Sequence, residues 1–308
     1  MLMRHKWKIF YLLLIIIALV VLNVVFKLFA FHPFAAREIG DFKVFCLNVH
    51  STGEFFEERS LKIDSLLKSE DPDFVFLTEY QDSCSMLLDS LLRIRYDYCE
   101  RGFHGQYKLT ECVYSKWSID SISNLRININ DLDVIDYLEN NQYAKRHVGL
   151  SAIFRWEINC GGLQVVIYSC HLASNNYTTE IDSSRYSWSL PLRNYEQRLL
   201  AYKDGSKLRE FEVEAISQRL KEENSPVIVM GDLNDFSFSR NLEKLNCMEL
   251  QDAWWEKGFG LGNTFREGLI GVRIDYILHN TQISTCDIRV LDEELSDHNA
   301  LVASFKFQ

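Results

Sequence analysis

The stretches RIDYILHN (residues 273–280) and LSDHNALVASF (residues 295–305) have the apolar pattern of two consecutive core strands, but charged groups interrupt them. The ionisable side chains in these stretches are Arg273, Asp275, Asp297 and His298. Burying an unpaired charge is costly, so packing alone does not account for these residues. Two neighbouring strands that each carry an acid, the second followed directly by a histidine, suggest that these groups serve one another or a site.

Four other apolar segments also end in a polar residue that packing does not require. VFCLN ends at Asn48, FVFLTE at Glu79, VVIYSCH at His171, and VIVMGD at Asp232, with Asn234 two residues further on. Taken singly, each has an ordinary alternative as a turn residue or a surface acid. Polar groups gathered at strand ends are how α/β folds build sites, so the set as a whole favours one functional site.

The order of the predicted elements indicates the fold class. Strands occur both in hairpin context, around Gly161-Gly162, and in crossover context with helices between them. This mixture predicts an α/β sandwich of mixed sheets. We expect a helical region over about residues 195–220, broken near Asp204-Gly205, and a long loop over residues 173–193 of the kind that is often functional.

The N-terminus has the composition of a membrane anchor. Residues 9–26 contain one polar side chain, Asn23, and this length suffices to span a bilayer. Basic residues precede the stretch, which predicts a cytoplasmic N-terminus (residues 1–8), a transmembrane helix (9–30), a linker (31–40) and an extracytoplasmic domain (41–308). A cleaved signal peptide is the alternative, although the apolar run is long and FHPFAA offers no clean small-x-small cleavage site.

Charge and cysteine usage restrict the possible partners. Of 33 Lys and Arg, four lie in residues 1–36, so the remainder carries 29 against 43 Asp and Glu, a net charge of −14. Such a domain repels polyanions at long range, and a polyphosphate substrate would need a cation and a local basic patch. The eight cysteines form no CxxC pair, which disfavours a zinc knuckle or a thioredoxin-like motif.

The ordered set of motifs resembles the endonuclease/exonuclease/phosphatase superfamily, which includes deoxyribonucleases, apurinic endonucleases, neutral sphingomyelinases and inositol-polyphosphate 5-phosphatases. LNV, TE, HL, GDLN, RIDYIL and SDH occur in the family's order between Asn48 and His298, with VYSKWSI and GNTF as further family-like pieces. GDLN or SDH alone would be weak, whereas the ordered set is specific. The resemblance implies a four-layered α/β/β/α sandwich of two mixed sheets behind the N-terminal transmembrane helix.

The resemblance also implies a metal site. Glu79 matches the family's principal carboxylate ligand, and Asp297 and Asn48 would complete or support the site. Mg²⁺, or Mn²⁺ in its place, suits such a set because it prefers few carboxylates together with waters and phosphate oxygens.

The remaining motif residues would carry the catalysis. Asp232 would orient or deprotonate the attacking water, while Asn234 would hold the nucleophile or a phosphate oxygen. His298 would contact the scissile phosphate, with Asp275 fixing its tautomer and raising its pKa. His171 would stabilise developing charge or help the leaving oxygen to depart.

Two departures from the family pattern and one weaker candidate complete the set. Thr78 stands where Gln is common, and Leu233 replaces the usual aromatic residue of GDFN, but neither change removes a functional group. Arg146, in KRHVGL, lies where related sequences often have a basic residue that binds substrate. A solvated loop charge is the alternative for Arg146.

We interpret the chain as a membrane-anchored, metal-dependent hydrolase of phosphoester bonds. A nuclease-type phosphodiesterase acting by in-line attack of activated water is the first expectation, with nucleic acid as substrate. A phospholipid or inositol-phosphate phosphoesterase is the alternative within the family, and a non-catalytic membrane-anchored binding module is the alternative from another class. No obligate protein partner is evident in the sequence.

Overall fold

The computed structural model describes residues 11, 13–22, 25, 28–32, 38–52, 56–103, 109–127, 131–141, 152–175, 195–267 and 270–308. Arg146 and all but the first three residues of the predicted loop over 173–193 lie outside this set, as does part of the predicted anchor. Residues 11, 13–22, 25 and 28 are helical. Within the described part of the chain, we find no helix with the length and apolarity needed to cross a membrane.

After the N-terminal helical residues, the described part of the chain forms strands, some of which are separated by helices. The strands are β1 (Ala30–Phe31), β2 (Phe42–Asn48), β3 (Phe74–Gln81), β4 (Tyr98–Phe103), β5 (Leu109–Ser115), β6 (Ile119–Asn124), β7 (Ala152–Cys160), β8 (Leu163–His171), β9 (Val227–Asp232), β10 (Gln251–Asp252), β11 (Phe259–Gly260), β12 (Phe265–Glu267), β13 (Ile270–Val272), β14 (Asp275–His279), β15 (Ile283–Leu291) and β16 (Ala300–Phe307). The helices are α1 (Phe56–Glu70), α2 (Met86–Leu92), α3 (Leu132–Asn140), α4 (Tyr195–Leu220), α5 (Arg240–Asn246) and α6 (Ala253–Lys257).

Two six-stranded mixed sheets form the centre of the fold. Their strand orders are β15-β16-β2-β3-β5-β4 and β10-β14-β9-β8-β7-β6. Each has one parallel pair, β2 with β3 and β8 with β9, among antiparallel neighbours. Each parallel pair is joined by a crossover that contains a helix, α1 and α4 respectively, as parallel pairing requires. The predicted α/β fold with two mixed sheets is therefore confirmed.

Apolar side chains pack in three layers. One cluster fills the space between the sheets and includes Phe76, Trp156 and Ile277. A second packs α1 and α2 on the first sheet, and a third packs α4 and α5 on the second sheet. Helices therefore cover the outer face of both sheets, which gives the α/β/β/α order, and the strand ends remain free to carry a site.

Two local features differ from the sequence-based expectation. Helix α4 continues through Gly205 without a break. A Cβ at this position would lie 2.8 Å from Asn175 Oδ1, so a packing contact accounts for the glycine. The glycine thus permits a close approach of the 173–175 segment and does not end the helix. Ala30 and Phe31, expected at the junction of anchor and linker, instead form β1, which pairs with β11 of the domain.

Candidate active site

The register of the second sheet brings three of the predicted residues side by side. His171 is paired with Asp232 across β8 and β9, and Asp275 is paired with Asp232 across β9 and β14. Gly231 precedes Asp232 at a φ of 123°, and a Cβ there would overlap the backbone oxygen of Cys170. The glycine of the GDLN motif is therefore needed for the close approach of β8 and β9 behind the site.

The first sheet contributes Asn48 and Glu79 from adjacent parallel strands. The register of β3 shifts between Leu77 and Tyr80, and Glu79 has a φ of 52° within this irregularity. Asn48 Nδ2 donates to Glu79 Oε1 at 3.0 Å and to Asp232 Oδ2 at 3.3 Å. Asn48 thereby links the two sheets. A non-glycine residue with positive φ inside a strand is an uncommon, costly conformation of the kind found at functional sites.

The orientation of the Asn48 amide is fixed by its neighbours. Its Oδ1 accepts from the backbone N–H of His50 at 3.2 Å, so the nitrogen faces the carboxylates. Asn48 was predicted to complete or support the metal site, and in this arrangement the atom that faces the acids is a donor. In this arrangement Asn48 supports the carboxylates.

Asp232 is the most enclosed acid of the site. Its side chain is buried, and its Oδ1 accepts from the backbone N–H of Asn234 at 2.9 Å. Its Oδ2 lies 3.7 Å from His298 Nε2 and 3.9 Å from His171 Nε2. Burial, together with the nearby charge of Asp275, raises the pKa of Asp232 to about 6. Asn234 is itself held by donation from its Nδ2 to Leu172 O at 3.0 Å.

His298 is oriented by an acid on the neighbouring sheet. Its Nδ1 lies 2.8 Å from Asp275 Oδ2, and both side chains are buried. Burial by itself would lower the pKa of His298, but the charges of Asp275 and Asp232 outweigh it and raise this pKa to about 10. His298 is therefore an imidazolium at neutral pH, and its Nε2–H points to the region of Asp232.

Asp297 lies at the more open edge of the site. Its Oδ2 is 3.2 Å from His50 Nδ1, and its Oδ1 accepts from Ser296 Oγ at 2.8 Å. Burial would raise the pKa of Asp297, but the hydrogen bond from His50 and the charge of His298 hold that pKa well below its usual range. The hydrogen bond to Asp297 also raises the pKa of His50.

The oxygen atoms at this edge fit a hard divalent cation. Glu79 Oε1 faces Asn48 Nδ2 and, at 3.5 Å, His171 Nε2, while no described residue donates to its Oε2. Glu79 and Asp297 are partly exposed carboxylates, the ligand type that Mg²⁺ and Mn²⁺ prefer. Ligand atoms of Asp232, Asp275 and His298 also lie within 4.8 Å of one another. His298 Nδ1 and Asp275 Oδ2 already bond each other, so the Glu79 edge fits a cation better.

Arg273, whose role the sequence left open, has a partner outside this cluster. Its guanidinium group donates to both oxygens of Asp252, at 3.0 and 2.6 Å, and lies 4.5 Å from the centre of the Tyr276 ring. Arg273 is 8% exposed, so this pair is a buried one. Arg273 therefore neither neutralises the acids of the candidate site nor faces solvent.

Sequence reasoning missed two residues at the site. His50 contacts Asp297, and Thr264 Oγ1 accepts from the backbone N–H groups of Ile274 and Asp275. The signal for His50 was its place in LNVHS, directly after a strand end. Thr264 lies in GNTF, a piece recognised as family-like without an assigned role.

The residues of the site lie in the part of the chain that matches a known protein family. The sequence model of the endonuclease/exonuclease/phosphatase family matches residues 46–298. The chain belongs to the endonuclease/exonuclease/phosphatase family. This match confirms the resemblance seen in the motifs, and it covers every predicted site residue from Asn48 to His298. A search of curated proteins finds no match.

Solved structures of other proteins share the fold. Truncated TDP2 of Caenorhabditis elegans aligns over 87% of this chain and 98% of its own, with a TM-score of 0.59 and 17% identity. D. rerio TDP2 complexed with a single-strand DNA product aligns over 86% and 98%, with a TM-score of 0.60 and 15% identity. The human Nocturnin catalytic domain with a bound sulfate anion aligns over 89% and 96%, with a TM-score of 0.61 and 17% identity. At these identities the likeness establishes the fold alone.

Proposed function

We propose that the chain hydrolyses phosphoester bonds in a metal-dependent reaction and that it acts as a nuclease-type phosphodiesterase. The observation that carries the proposal is the placement of Asp232. Its carboxylate is buried, held by the Asn234 N–H, and lies within 4 Å of both His171 and His298. Such a convergence of an acid and two imidazoles at strand ends is what in-line attack of water on a phosphate requires.

Asp232 has the properties of a general base. With a pKa of about 6 it is ionised at neutral pH, yet it is a stronger base than an ordinary aspartate. It would take the proton of the attacking water, while the backbone N–H of Asn234 holds Oδ1 and leaves Oδ2 on the side of the two histidines.

The histidines and Asp275 would handle the charge on the phosphate. His298 would donate its Nε2–H to a non-bridging phosphate oxygen, and Asp275 keeps the ring oriented and charged through Nδ1. His171, between Glu79 and Asp232, would stabilise the departing oxygen. Each group stays in place through the reaction, so little reorganisation is needed at the moment of charge development.

Glu79 and Asp297 would hold the divalent cation, with Asn48 supporting Glu79 through its amide N–H. When bound, Mg²⁺ or Mn²⁺ supplies charge neutralisation on the phosphate and the leaving oxygen. The partly exposed position of both carboxylates leaves room for waters and phosphate oxygens, which Mg²⁺ retains as ligands.

A nucleic acid is the first choice of substrate, and a lipid is the second. The nuclease hypothesis is based on the family match and on the structure of D. rerio TDP2, which contains a single-strand DNA product. The lipid reading draws on an apolar surface beside the N-terminal segment, where Phe31, Phe259 and Leu261 are exposed. A non-catalytic binding module is the weakest reading, because the acid, base and phosphate-binding groups are all present.

A substrate panel tests this proposal. The full chain would be incubated with a single-stranded oligonucleotide, plasmid DNA, sphingomyelin-type vesicles and a phosphorylated inositol, each with Mg²⁺, Mn²⁺ or EDTA. We expect cleavage of nucleic acid that EDTA abolishes and added metal restores. Cleavage that persists in EDTA would contradict the metal dependence, and cleavage of lipid alone would reverse the order of substrates.

We further propose that residues 9–30 hold the domain at a membrane, with the catalytic domain on the extracytoplasmic side. Strand β1 ties the end of this segment to β11, and Phe29, Phe31 and Phe259 form an aromatic cluster with ring centres 5.6–6.3 Å apart. Aromatic residues are enriched at membrane interfaces. A reporter fused after Gln308 should be active only outside the cytoplasm, and a cytoplasmic signal would contradict this topology.

A further inference from the structure

A cleft of about 750 Å³ lies on the outer face of the second sheet, between α3, α4 and α5. We propose that this cleft, here called the cationic cleft, binds the phosphate backbone of a single-stranded nucleic acid whose scissile bond lies at Asp232. This inference rests on the proposed function and names its substrate class. The lining residues are Tyr137, Asn141, Lys203, Asp204, Ser206, Lys207, Glu210, Arg240, Asn241 and Lys244.

The charges of the cationic cleft favour an anion. Four of its lining residues are cationic and two are acidic. Asp204 accepts hydrogen bonds from Tyr137 Oη and Asn141 Nδ2, which hold its carboxylate in place without neutralising it, so the lining keeps a net positive charge. Two of the cations are also paired, Lys207 with Glu210 and Lys244 with Glu214.

The remaining two cations are available to a ligand. Lys203 and Arg240 are exposed and have no ion-pair partner within the part of the chain that the structure describes. Both cations line one concave surface of a domain whose net charge is −14. They meet the need for a local basic patch that a polyanionic substrate imposes on such a domain.

A buried network connects the cationic cleft to the catalytic loop. Asn241 Nδ2 donates to Asp235 Oδ2 at 2.8 Å, and the fully buried Arg209 donates to the same oxygen at 3.2 Å. Asp235 directly follows Asn234. The same short segment therefore carries Asp232 and Asn234 at the candidate site and, through Asp235, holds Asn241 of the cationic cleft. Arg240 lies six positions after Asn234 in the chain, so the two Cα atoms are at most about 20 Å apart.

Aromatic side chains lie along this connection. Tyr202 donates to Asp235 Oδ1, and its ring lies 5.6 Å from that of Phe236. Phe236 and Phe238 are stacked, with ring centres 5.5 Å apart and an angle of 5° between their planes. Phe238 is 52% exposed, so one face of the stack is open to a ligand.

These aromatics favour a single strand over a duplex or a lipid. Unpaired bases stack on exposed aromatic rings, whereas the bases of a duplex are already stacked on each other and a lipid headgroup has none. At a rise of about 3.4 Å per stacked nucleotide, this upper limit of about 20 Å corresponds to about six nucleotides. A 12-nucleotide strand is therefore long enough to reach the cationic cleft from the site at Asp232.

The test removes the two unpaired cations. The full chain with Lys203→Ala and Arg240→Ala would be compared with wild type on a 12-nucleotide single strand, a 3-nucleotide strand and bis(4-nitrophenyl) phosphate. Lys62→Ala with Lys306→Ala is the matched control, since it removes two exposed cations from the other half of the fold. Phe238→Ala tests the stacking contribution separately.

We expect the cleft variant to raise KM for the 12-nucleotide strand by about tenfold, with kcat unchanged, because two phosphate contacts are lost. The slope of log affinity against log salt should fall by about 1.4. The small diester and the control variant should retain their wild-type values, and the 3-nucleotide strand, which has fewer phosphates, should lose less than the 12-nucleotide strand. Phe238→Ala should weaken binding of the 12-nucleotide strand by about tenfold regardless of its base sequence.

Two outcomes would overturn the inference. One is an unchanged KM and salt slope for the 12-nucleotide strand in the cleft variant. The other is an equal loss on the small diester, since the effect would then lie at the catalytic residues.

Binding separates this inference from the proposed function. If the wild-type protein hydrolyses no diester, the proposed function fails. Fluorescence anisotropy of a labelled 12-nucleotide strand in EDTA still tests whether the cationic cleft binds the strand. Salt-dependent binding that the cleft variant loses supports the inference. Equal binding by both proteins contradicts it.

Discussion

At the scale of single residues, the two acids of RIDYIL and SDH have separate environments. Asp275 is buried against His298, whereas Asp297 lies at the open edge with His50. The sequence could separate these roles, because Asp275 alternates with core positions while Asp297 adjoins the histidine. It could not reveal His50 as the partner of Asp297, because 247 residues separate the two in the chain.

Replacing Asp275 tests the orientation of His298. Asp275→Asn keeps the shape but removes the charge that stabilises the imidazolium, so kcat on the small diester should fall by about 10²–10⁴-fold, with a smaller change in KM. Asp120→Asn, on β6 at the far edge of the same sheet, removes the same charge and should leave kcat unchanged. A decrease of less than about threefold in the Asp275 variant would show that His298 does not depend on this acid.

The pair of Arg273 and Asp252 yields a stability prediction. Arg273→Met leaves Asp252 buried without its partner, and unfolding in urea should show a loss of about 3–5 kcal/mol. Adding Asp252→Asn should recover more than half of the loss, because no charge remains buried while the amide can still accept from Trp254 N as the helix cap. If the two substitutions lowered the free energy of unfolding additively in the double variant, the result would contradict a direct interaction between Arg273 and Asp252.

At the scale of elements, the strand ends were predictable and the strand order was not. Four site residues, Asn48, Glu79, His171 and Asp232, could be placed at or near the ends of apolar runs, and those runs are the observed strands β2, β3, β8 and β9. The pairing that brings Asp232 between His171 and Asp275 depends on contacts between strands far apart in the chain, which no local pattern encodes.

Helix α4 shows how a tertiary contact overrides a local preference. Gly205→Ala should stabilise an isolated helix by about 1 kcal/mol. Here the new Cβ would lie 2.8 Å from Asn175 Oδ1 and 3.1 Å from Arg209 Nη1, so we expect a loss of about 1–3 kcal/mol in urea unfolding.

A control lies in the same helix. The Ser217 hydroxyl is buried without a hydrogen-bond partner within the described residues, so Ser217→Ala should be neutral or stabilising. Stabilisation by Gly205→Ala would show that the 173–175 segment does not pack against the helix as described.

At the scale of the whole molecule, one buried acid lies between the sheets. Glu111 accepts from Ser169 Oγ, which itself accepts from Trp156 Nε1, and Glu111 Oε1 has no partner within the described residues. Burial raises the pKa of Glu111 to about 8, and the hydrogen bond from Ser169 offsets this only in part. Composition could not predict this residue, because its burial follows from the packing of two sheets.

Glu111 should make global stability depend on pH. The native state keeps a proton on Glu111 that the unfolded chain releases above about pH 4.5, so rising pH favours unfolding until about pH 8. The cost is on the order of 3 kcal/mol at pH 7. Glu111→Gln should remove this residue's contribution to the pH dependence of the free energy of unfolding between pH 5 and 8. The variant should be more stable than wild type at pH 8. A parallel pH profile in the two proteins would contradict the raised pKa.

The central claim is that Asp232 activates water for phosphoester hydrolysis at a site held together by both sheets. Single-turnover hydrolysis of a labelled single-stranded oligonucleotide by the full chain with Mg²⁺, compared between wild type and Asp232→Asn, tests it most directly. We predict a rate loss of at least about 10³-fold with an unchanged circular dichroism spectrum and unchanged oligonucleotide binding. A folded Asp232→Asn protein that cleaves within a few-fold of the wild-type rate would contradict the account.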